Sequence, residues 1–222
     1  MNVKPLGLAL VATLSWGSIV QAADVKVLAS NSVRTMLEDI APLYERASGH
    51  RVTLGFGTSA QVAKRVLAGE AADLLVVTLD VVDELTKAGK LAPGASVAIA
   101  RSLMGVGIRT GAPRPEVGTP AALRATLLAV KSVTFSDPAT GAASGVHTVK
   151  IFEQLGIADA MKPKIKIAQG GRGAMELLAK GEVDIGLTFI SEIITEPGVE
   201  VVGPLPPSAA ALFVFSQNCG GL

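Results

Sequence analysis

One stretch of the chain, residues 51–77, constrains the fold more than any other: RVTLGFGTSAQVAKRVLAGEAADLLVV. Apolar residues alternate over residues 52–56, as they do in a half-buried strand, and they recur at helical spacing from Val62. A polar turn at residues 57–59 separates these two patterns, and a second apolar strand follows at residues 73–77. The stretch therefore predicts a strand, a turn, an amphipathic helix and a second strand in one α/β unit.

The turn within this unit is the first candidate for a binding site. Thr58 or Ser59 is suited to cap the helix, because a hydroxyl there accepts a hydrogen bond from an unpaired amide of the first turn. Free amides, hydroxyls and a glycine at a helix start also favour the binding of an anion. The same residue types occur at ordinary helix caps without a ligand, so the hypothesis depends on whether the chain repeats the arrangement.

The first 22 residues have the pattern of an export signal. Lys4 is followed by an almost wholly apolar run at residues 6–14, and small residues precede the expected cleavage after Ala22 or Ala23. The apolar run is shorter than the roughly 20 residues that a membrane-spanning helix needs. We therefore expect residues 1–22 to be a signal peptide and the mature protein to lie in the periplasm.

Charge and cysteine content exclude several classes of function. The chain has 20 basic and 19 acidic residues, and removal of Lys4 with the signal peptide leaves 19 of each. A mature net charge near zero argues against a nucleic-acid partner. Cys219 is the only cysteine, which excludes an intrachain disulfide, and two distant histidines make a poor zinc site. We accordingly expect no metal and no cofactor.

The alternation of strands and helices continues through the mature chain. A strand at residues 25–29, a polar turn from Ser30 to Ser32 and a helix at residues 33–47 precede the first unit, and a helix at residues 79–88 follows it. Short links between alternating strands and helices imply a mainly parallel sheet with helices on both faces. Ligands of such sheets bind beyond the carboxyl ends of the strands, where both polar turns fall.

Spacing also predicts which aromatic side chains are buried. Tyr44 lies with Leu37 and Ile40 along one apolar stripe of the first helix. Phe152 and Phe213 are assigned to the core by the same kind of spacing. We therefore expect these three aromatic rings to be core residues.

A second lobe follows a long apolar strand. Residues 97–109, VAIARSLMGVGIR, are predicted to cross between lobes, and a stretch rich in glycine and proline follows them. The alternation then resumes, with helices at residues 120–129, 146–155 and 174–180, strands at 132–135, 164–168 and 183–189, a polar loop at 136–145 and a glycine turn at 170–173. Two such lobes form a clamshell that closes on a small ligand. We expect lobe 1 at residues 23–100, the crossing strand and lobe 2 at 101–202, and a return segment at 203–222.

Three segments of the chain resemble one known family in their order and separation. ASNSVRTMLEDIAPLYERASG at 29–49, GFGTSAQVAKRVLAGEAADLLV at 55–76 and ELLAKGEVDIGLTFISE at 176–192 are similar to the type II periplasmic solute-binding proteins of ABC importers, and most similar to their molybdate-binding branch. The resemblance extends from Val25 to about Pro207. It implies an α/β fold of two lobes, each a mainly parallel sheet flanked by helices, and a monomer that captures a small anion and delivers it to a membrane permease.

In the molybdate-binding branch, hydroxyls, backbone amides and one tyrosine hydroxyl hold the oxyanion without a cationic side chain. Neutral donors at helix N-termini stabilise a dianion through dipoles and short N–H bonds. The resemblance places the ligand contacts at Ser32, with Asn31 and Ser30 as alternatives, at Ser59 or the adjacent Thr58, at the backbone amides of Ser144 and Gly171, and at Phe189 in the position of the tyrosine.

Phe189 departs from the family pattern. Phenylalanine has no hydroxyl, so one donor to the oxyanion is missing unless Thr188 or Ser191 replaces it. The loop at residues 136–145, SDPATGAASG, is also longer than a molybdate-binding protein needs. Both departures favour a larger or differently shaped anion, and a small organic acid fits at least as well as molybdate.

Arg172 is a further candidate at a helix start, since a guanidinium binds a carboxylate with two hydrogen bonds.

An enzymatic function is the alternative. Some proteins that resemble this branch are periplasmic isomerases of unsaturated tricarboxylates such as aconitate, and such chemistry needs a general base and cations for the carboxylates. His147 or Asp137, together with Arg172, would supply them in this sequence. A hydrolase triad cannot be assembled from these residues, and the export signal argues against a transcription regulator. A transport receptor is the function that we expect first.

The end of the sequence also differs from the family. After GPLPP at residues 203–207, relatives continue with a strand that returns to the first lobe and with one or two closing helices, whereas SAAALFVFSQNCGGL follows here. A short strand is expected at residues 212–215, and the glycines at 220 and 221 oppose a helix. The sequence thus predicts a truncated return segment that leaves part of the apolar surface of lobe 1 uncovered.

Overall fold

The computed structural model describes residues 22–91 and 96–206 and the backbone of residues 212–218. The predicted signal peptide lies outside the described residues except for Ala22. Three parallel strands, with the first in the middle, begin the first lobe: β1 (Asp24–Ser30), β2 (Arg51–Gly57) and β3 (Leu74–Thr78). Three helices follow these strands in turn: α1 (Arg34–Ser48), α2 (Ser59–Leu67) and α3 (Leu79–Lys87). The predicted α/β alternation of this lobe is confirmed.

The two faces of this sheet are covered to different extents. Helices α2 and α3 pack on one face around Leu28, Val66 and Leu85, each at most 1% exposed. Helix α1 lies on the other face, and none of its side chains is buried. Tyr44 and Ile40 are 45% and 48% exposed, so the prediction that Tyr44 is a core residue is wrong. Periodicity indicates which face of a helix is apolar, but not how much of that face its neighbours cover.

One long strand, β4 (Ser96–Arg109), belongs to both lobes. Its first half pairs with β9 (Leu212–Asn218), which lies antiparallel between β3 and β4 in the first lobe. Its second half pairs on one side with β7 (Ile185–Phe189) and on the other with β8 (Val199–Pro204). The strand predicted at residues 97–109 is therefore the connection between the lobes. The expected strand in the return segment is also present, while the side chain of Phe213 lies outside the described residues.

The second lobe is built around β7 and two strands parallel to it, β5 (Val133–Ser136) in the middle and β6 (Ile165–Ala168) at the edge. Five helices flank this sheet: α4 (Pro120–Ala129), α5 (Ala143–Gln154), α6 (Ala158–Met161), α7 (Gly170–Ala179) and α8 (Ile190–Ile193). Phe152 is 2% exposed and meets Phe135 edge to face, which confirms it as a core residue. Two mainly parallel sheets joined by β4 and flanked by helices confirm the two-lobed clamshell.

Two helices of the second lobe begin earlier than the sequence predicts. Helix α5 begins at Ala143 and not at residue 146, and helix α7 begins at Gly170, so residues 170–173 form its first turn and not a separate glycine turn. The first turn of a helix contains amides without a partner inside the helix. The correction therefore brings Ser144 and Gly171 into turns with free amides. None of the described helices is long and apolar enough to cross a membrane.

Glycine in these first turns allows close packing. A Cβ atom at Gly171 would lie 2.1 Å from Glu192 Oε2 and 2.2 Å from Thr188 Oγ1. A Cβ atom at Gly145 would lie 2.1 Å from the carbonyl oxygen of Ser136. Both helix starts thus pack closely against the end of a neighbouring strand, and this contact explains why glycine occupies these two positions.

Candidate functional site

The ends of β1, β2, β5 and β7 meet the starts of α2, α5 and α7 at one cavity between the lobes, which we call the inner cavity. Its lining residues come from lobe 1 (Ser30, Asn31, Ser32, Thr58 and Ser59) and from lobe 2 (Ser136, Ala142, Ala143, Ser144, Gly170, Gly171, Phe189 and Glu192). It encloses about 20 Å³, which leaves room for little more than one water molecule. The structure therefore gathers at one place eight candidates from the sequence: Ser30, Asn31, Ser32, Thr58, Ser59, Ser144, Gly171 and Phe189.

Each lobe contributes a pair of serines to the inner cavity. In the first lobe, the hydroxyl oxygens of Ser30 and Ser32 lie 3.0 Å apart at the end of β1. In the second lobe, the hydroxyl oxygens of Ser136, at the end of β5, and Ser144, in the first turn of α5, also lie 3.0 Å apart. The sequence analysis missed Ser136, although it ends its strand as Ser30 ends β1. Four hydroxyls thus line the cavity from two sides.

Thr58 and Ser59, the two alternatives at the start of α2, differ in what their hydroxyls already bind. Thr58 Oγ1 accepts a hydrogen bond from the Gln61 amide at 3.1 Å and donates to the carbonyl oxygen of Thr140, in the other lobe, at 3.0 Å. Ser59 Oγ accepts a long bond of 3.4 Å from the Thr78 amide, and its proton has no acceptor among the described residues. Ser59 is therefore the better donor to a ligand, while Thr58 caps the helix and joins the lobes.

The two side chains considered as substitutes for the missing tyrosine hydroxyl have other partners. Ser191 Oγ donates to the carbonyl oxygen of Ser32, in the other lobe, at 3.3 Å. Thr188 is fully buried, and its Oγ1 donates to Glu192 Oε2 at 2.5 Å. Neither residue is among the described residues that line the inner cavity. Their hydroxyls stabilise the contact between the lobes and the position of Glu192.

Glu192 is a candidate that the sequence analysis missed. It is buried in the first turn of α8, three residues after the end of β7, and it lines the inner cavity. Burial raises the pKa of Glu192, while hydrogen bonds from Thr188 and from the backbone amide of Phe189 act in the opposite direction. The carboxyl group therefore keeps its proton at a pH where an exposed glutamate is ionised. Its place just after a strand end is the signal that could have identified it.

A larger cavity, which we call the outer cavity, opens beside the inner one and encloses about 390 Å³. The two cavities share Asn31, Gly170, Gly171 and Glu192, and the outer one is further lined by Arg34, Thr35, Gln169, Arg172, Gly173, Glu176 and Thr195. The side chain of Arg172 is 67% exposed, and its Nε lies 3.6 Å from Glu176 Oε1. The structure thus places Arg172 in the outer cavity, near the candidates of the inner one.

Two of the three residues considered for catalysis, His147 and Arg172, line different cavities. His147 lines a third cavity, of about 220 Å³, on the side of the cleft that faces α3. Asp137 Oδ1 accepts a hydrogen bond from the Ala139 amide at 2.9 Å and caps the short helical turn Pro138–Thr140. Arg172 lines the outer cavity. Sequence position indicates that a residue is near the cleft, but the direction in which its side chain leaves the helix or loop decides which cavity it reaches. Within the described ranges, no group of three metal-binding side chains is found.

Known proteins are similar to this chain over most of its length. The model of a family described as bacterial extracellular solute-binding protein matches residues 25–216. An aconitate isomerase from Pseudomonas sp. is 26% identical over 217 residues, which cover 95% of this chain and 81% of that protein. The molybdate-binding protein ModA of Escherichia coli (strain K12) is 24% identical over 215 residues, which cover 90% of this chain and 78% of that protein. The solved structure of the Azotobacter vinelandii periplasmic molybdate-binding protein matches with a TM-score of 0.70 and 18% identity, covering 87% of this chain and 84% of that one.

Proposed function

Because the chain belongs to the bacterial extracellular solute-binding proteins and is a type II periplasmic binding protein of the molybdate-binding-like kind, we propose that it captures a small anion in the inner cavity for an ABC importer. One observation carries this proposal: hydroxyls and helix starts from both lobes converge on a single cavity. A ligand held there contacts both lobes at once, so its binding stabilises the closed clamshell.

The chemistry of the inner cavity suits an anion held by neutral donors. Ser59, Ser144 and Gly171 lie in the first turns of α2, α5 and α7, where backbone amides lack partners within the helix. The positive ends of these helix dipoles favour a negative charge. None of the described residues that line this cavity is lysine or arginine. Recognition in this proposal therefore depends on the shape of the anion and on hydrogen bonds to it.

We further propose where the protein works and which membrane protein receives its ligand. Residues 1–22 direct export and are removed, so that the mature protein works in the periplasm as a monomer. Two hydrogen bonds across the cleft, Thr58–Thr140 and Ser191–Ser32, hold the lobes together beside the cavity. A membrane permease receives the anion when these contacts open.

Thermal unfolding and calorimetry test the proposal. Molybdate, tungstate, sulfate, phosphate and a set of di- and tricarboxylates are added to the mature protein, and a ligand that binds the folded state raises its melting temperature. Ser59→Ala removes a neutral donor to a charged group and should weaken binding by about tenfold or more. Ser48→Ala is the matched control, because Ser48 bonds to the Tyr44 carbonyl oxygen at the end of α1, away from the cleft. Absence of binding by any anion, or equal effects of both substitutions, would disprove anion capture at this site.

A second candidate function is the isomerisation of an unsaturated tricarboxylate. Two observations favour it: the similarity to an aconitate isomerase over 95% of the chain, and the buried carboxyl group of Glu192 in the wall between two cavities. A base that takes a proton from one carbon and returns it to another moves a double bond without a net change in atoms. Burial raises the pKa of this carboxyl, so its ionised form is a stronger base than an exposed glutamate and takes a proton from carbon more readily.

Nuclear magnetic resonance separates the two candidate functions. One isomer of aconitate is incubated with the protein in deuterated water, and both the other isomer and deuterium on carbon are measured. An isomerase produces both signals in the wild type and loses them in Glu192→Gln, which keeps the shape of the side chain but cannot act as a base. Binding of aconitate without either signal would leave transport as the function.

A further inference from the structure

We propose that the ligand carries a second anionic group and that Arg34 binds this group in the outer cavity. The inference rests on the proposed anion-binding function and names a ligand class for it. That class consists of short organic acids with two or more carboxylates, or with a carboxylate and a phosphate. The sequence analysis considered Arg172 for such a role, but it assigned none to Arg34.

The sizes of the two cavities support a ligand that extends beyond the inner one. The inner cavity encloses about 20 Å³ and the outer about 390 Å³, and the two are contiguous through Asn31, Gly171 and Glu192. A single oxyanion group with a carbon skeleton attached exceeds the inner cavity. Its remaining atoms must then lie in the outer cavity, where they meet the side chains of that compartment.

Arg34 is held in place at this junction. Its guanidinium carbon lies over the Phe56 ring, 4.0 Å from the ring centre, in a cation–π contact that restrains the group. Its Nη2 donates to Asn31 Oδ1 at 3.2 Å, and Asn31 lines both cavities. The guanidinium is therefore hydrogen-bonded to a side chain that lines the inner cavity, so a short ligand bound there can reach it.

Arg34 also keeps hydrogen-bonding capacity for a ligand. An arginine has five N–H donors, and Arg34 uses one on Asn31 and one on Glu38, at 3.3 Å. The pair with Glu38 lies on the surface, where such pairs are weak. A carboxylate or phosphate in the outer cavity can accept two parallel bonds from the remaining donors.

The charges around the outer cavity favour an anion near Arg34. Arg34 and Arg172 are its two cations, one from each lobe, and Glu176 and Glu192 are its two acidic residues. Burial raises the pKa of Glu192 and so weakens its repulsion of an anion. Each of these arginines is paired with one exposed carboxylate, Arg172 with Glu176 at 3.6 Å and Arg34 with Glu38 at 3.3 Å, but Glu38 is not among the described residues that line the cavity. The side chain of Arg34 is also less exposed than that of Arg172, 36% against 67%, so its charge is less screened by solvent.

Calorimetry with two ligands that differ in one charge tests the proposal. Succinate has two carboxylates, and in succinamate an amide of nearly the same shape replaces one of them. We expect the wild type to bind succinate about tenfold or more tightly than succinamate, because a charge-assisted pair of bonds to arginine is lost. Arg34→Gln should abolish that preference, and Arg34→Lys should retain part of it. Arg46→Gln is the matched control, since Arg46 lies in the last turn of the same helix and is exposed.

Each outcome decides the proposal. An unchanged preference for succinate in Arg34→Gln overturns it, and so does a protein that binds molybdate but neither organic acid. An equal loss of affinity for molybdate and succinate in Arg34→Gln would also overturn it. An arginine that only stabilises the fold would affect both ligands alike. A wild type that binds no anion contradicts the proposed function itself, which distinguishes the two failures. A further titration with 3-phosphoglycerate tells whether a phosphate replaces the carboxylate at Arg34.

Discussion

The inner and outer cavities share four lining residues but differ in the chemical groups that they offer to a ligand. The inner cavity offers hydroxyls and backbone amides from both lobes within about 20 Å³. The outer cavity encloses about 390 Å³ and offers the two guanidinium groups of Arg34 and Arg172. Neutral donors in a tight space discriminate by shape, whereas mobile or partly exposed cations discriminate mainly by charge. One cleft can therefore combine a site that is selective for the shape of one anionic group with a larger site that accepts different shapes in the rest of the ligand.

Gly171 and Glu192 are two of the four residues that line both cavities. Gly171 permits the start of α7 to approach the Glu192 carboxyl so closely that a Cβ atom would lie 2.1 Å from Oε2. Thr188 Oγ1 donates a hydrogen bond of 2.5 Å to the same carboxyl oxygen. The inner cavity is thus bounded by packed, buried groups, while the outer one is bounded by exposed side chains. Substitutions should therefore have larger effects in the inner wall than in the outer compartment.

The largest effect is expected from Gly171→Ala. The added methyl group has no space beside Glu192 and Thr188, and overpacking of this kind costs about 1–3 kcal/mol. For a protein of this size, that cost lowers the melting temperature by roughly 2–12 °C. We also expect loss of anion binding, because the displaced carboxyl and helix start disturb the inner cavity. Thermal unfolding with and without ligand measures both changes.

Gly173→Ala is the matched control for that prediction. Gly173 lies two residues further along α7, and the nearest heavy atom to its added Cβ would be Ala168 Cβ at 3.9 Å, an ordinary contact. Alanine inside a helix is favoured over glycine by up to about 1 kcal/mol. The control should therefore be slightly more stable than the wild type and, because Gly173 lines only the outer cavity, should leave the binding of a single oxyanion in the inner cavity unchanged. Equal destabilisation of both variants would mean that the inner wall is not tightly packed.

Glu192→Gln should have a smaller effect on the melting temperature, and this effect should depend on pH. The pKa of Glu192 in the folded protein is raised above 4.5, its ordinary value, so the folded state favours the protonated carboxyl. The stability that this proton confers is present below pH 4.5 and is lost as the pH rises through the raised pKa. Glutamine cannot ionise, so the variant does not lose stability in this way as the pH rises. The melting temperature of Glu192→Gln relative to the wild type should therefore increase from acidic to neutral pH.

For Glu70→Gln we expect a stability difference from the wild type with the opposite pH dependence, so this variant serves as a reference. Hydrogen bonds from Arg65 and then Lys26 lower the pKa of Glu70 from 4.5 to about 2, so its contribution is present above pH 4.5 and is lost as the pH falls towards 2. This variant should differ most from the wild type near neutral pH, where it is the less stable protein. A stability difference for Glu192→Gln with the same sign and pH dependence as for Glu70→Gln would contradict a buried, protonated Glu192.

The position of the inner cavity could be predicted from the sequence, in lobe 1 from local patterns and in lobe 2, at Ser144 and Gly171, from the family resemblance. Ser30 ends an apolar strand, and Ser59 and Ser144 stand at helix starts. In an α/β lobe such positions meet at one edge of the sheet. The fold could be predicted for the same reason, since alternating strand and helix patterns with short links leave few possible topologies.

The outer cavity could not be predicted because its residues depend on contacts between distant segments. Arg34 appears in the sequence as an ordinary residue near a helix start, and its contact with the Phe56 ring from the next strand appears only in the fold. The choice between Thr58 and Ser59 depends on Thr140, which lies 82 residues away in the other lobe. Glu192 has a raised pKa only because packing buries it. Local sequence patterns contain no information about such contacts.

The smallest effect is expected in the outer cavity, from Glu176→Gln. The Glu176 carboxylate lies 3.6 Å from Arg172 Nε, and both side chains are about half or more exposed, 47% and 67%. Removing this charge releases Arg172 and reduces repulsion of an anion, but exposed pairs contribute only about 0.2–1 kcal/mol. Succinate should therefore bind roughly 1.5- to 5-fold more tightly to the variant, with the gain diminished by added salt, while molybdate affinity stays unchanged because that ligand occupies the inner cavity. Calorimetry at two salt concentrations measures this difference. Tighter binding of both ligands by the same factor would show that the two cavities respond to charge as one site, and the division between shape and charge recognition would then be wrong.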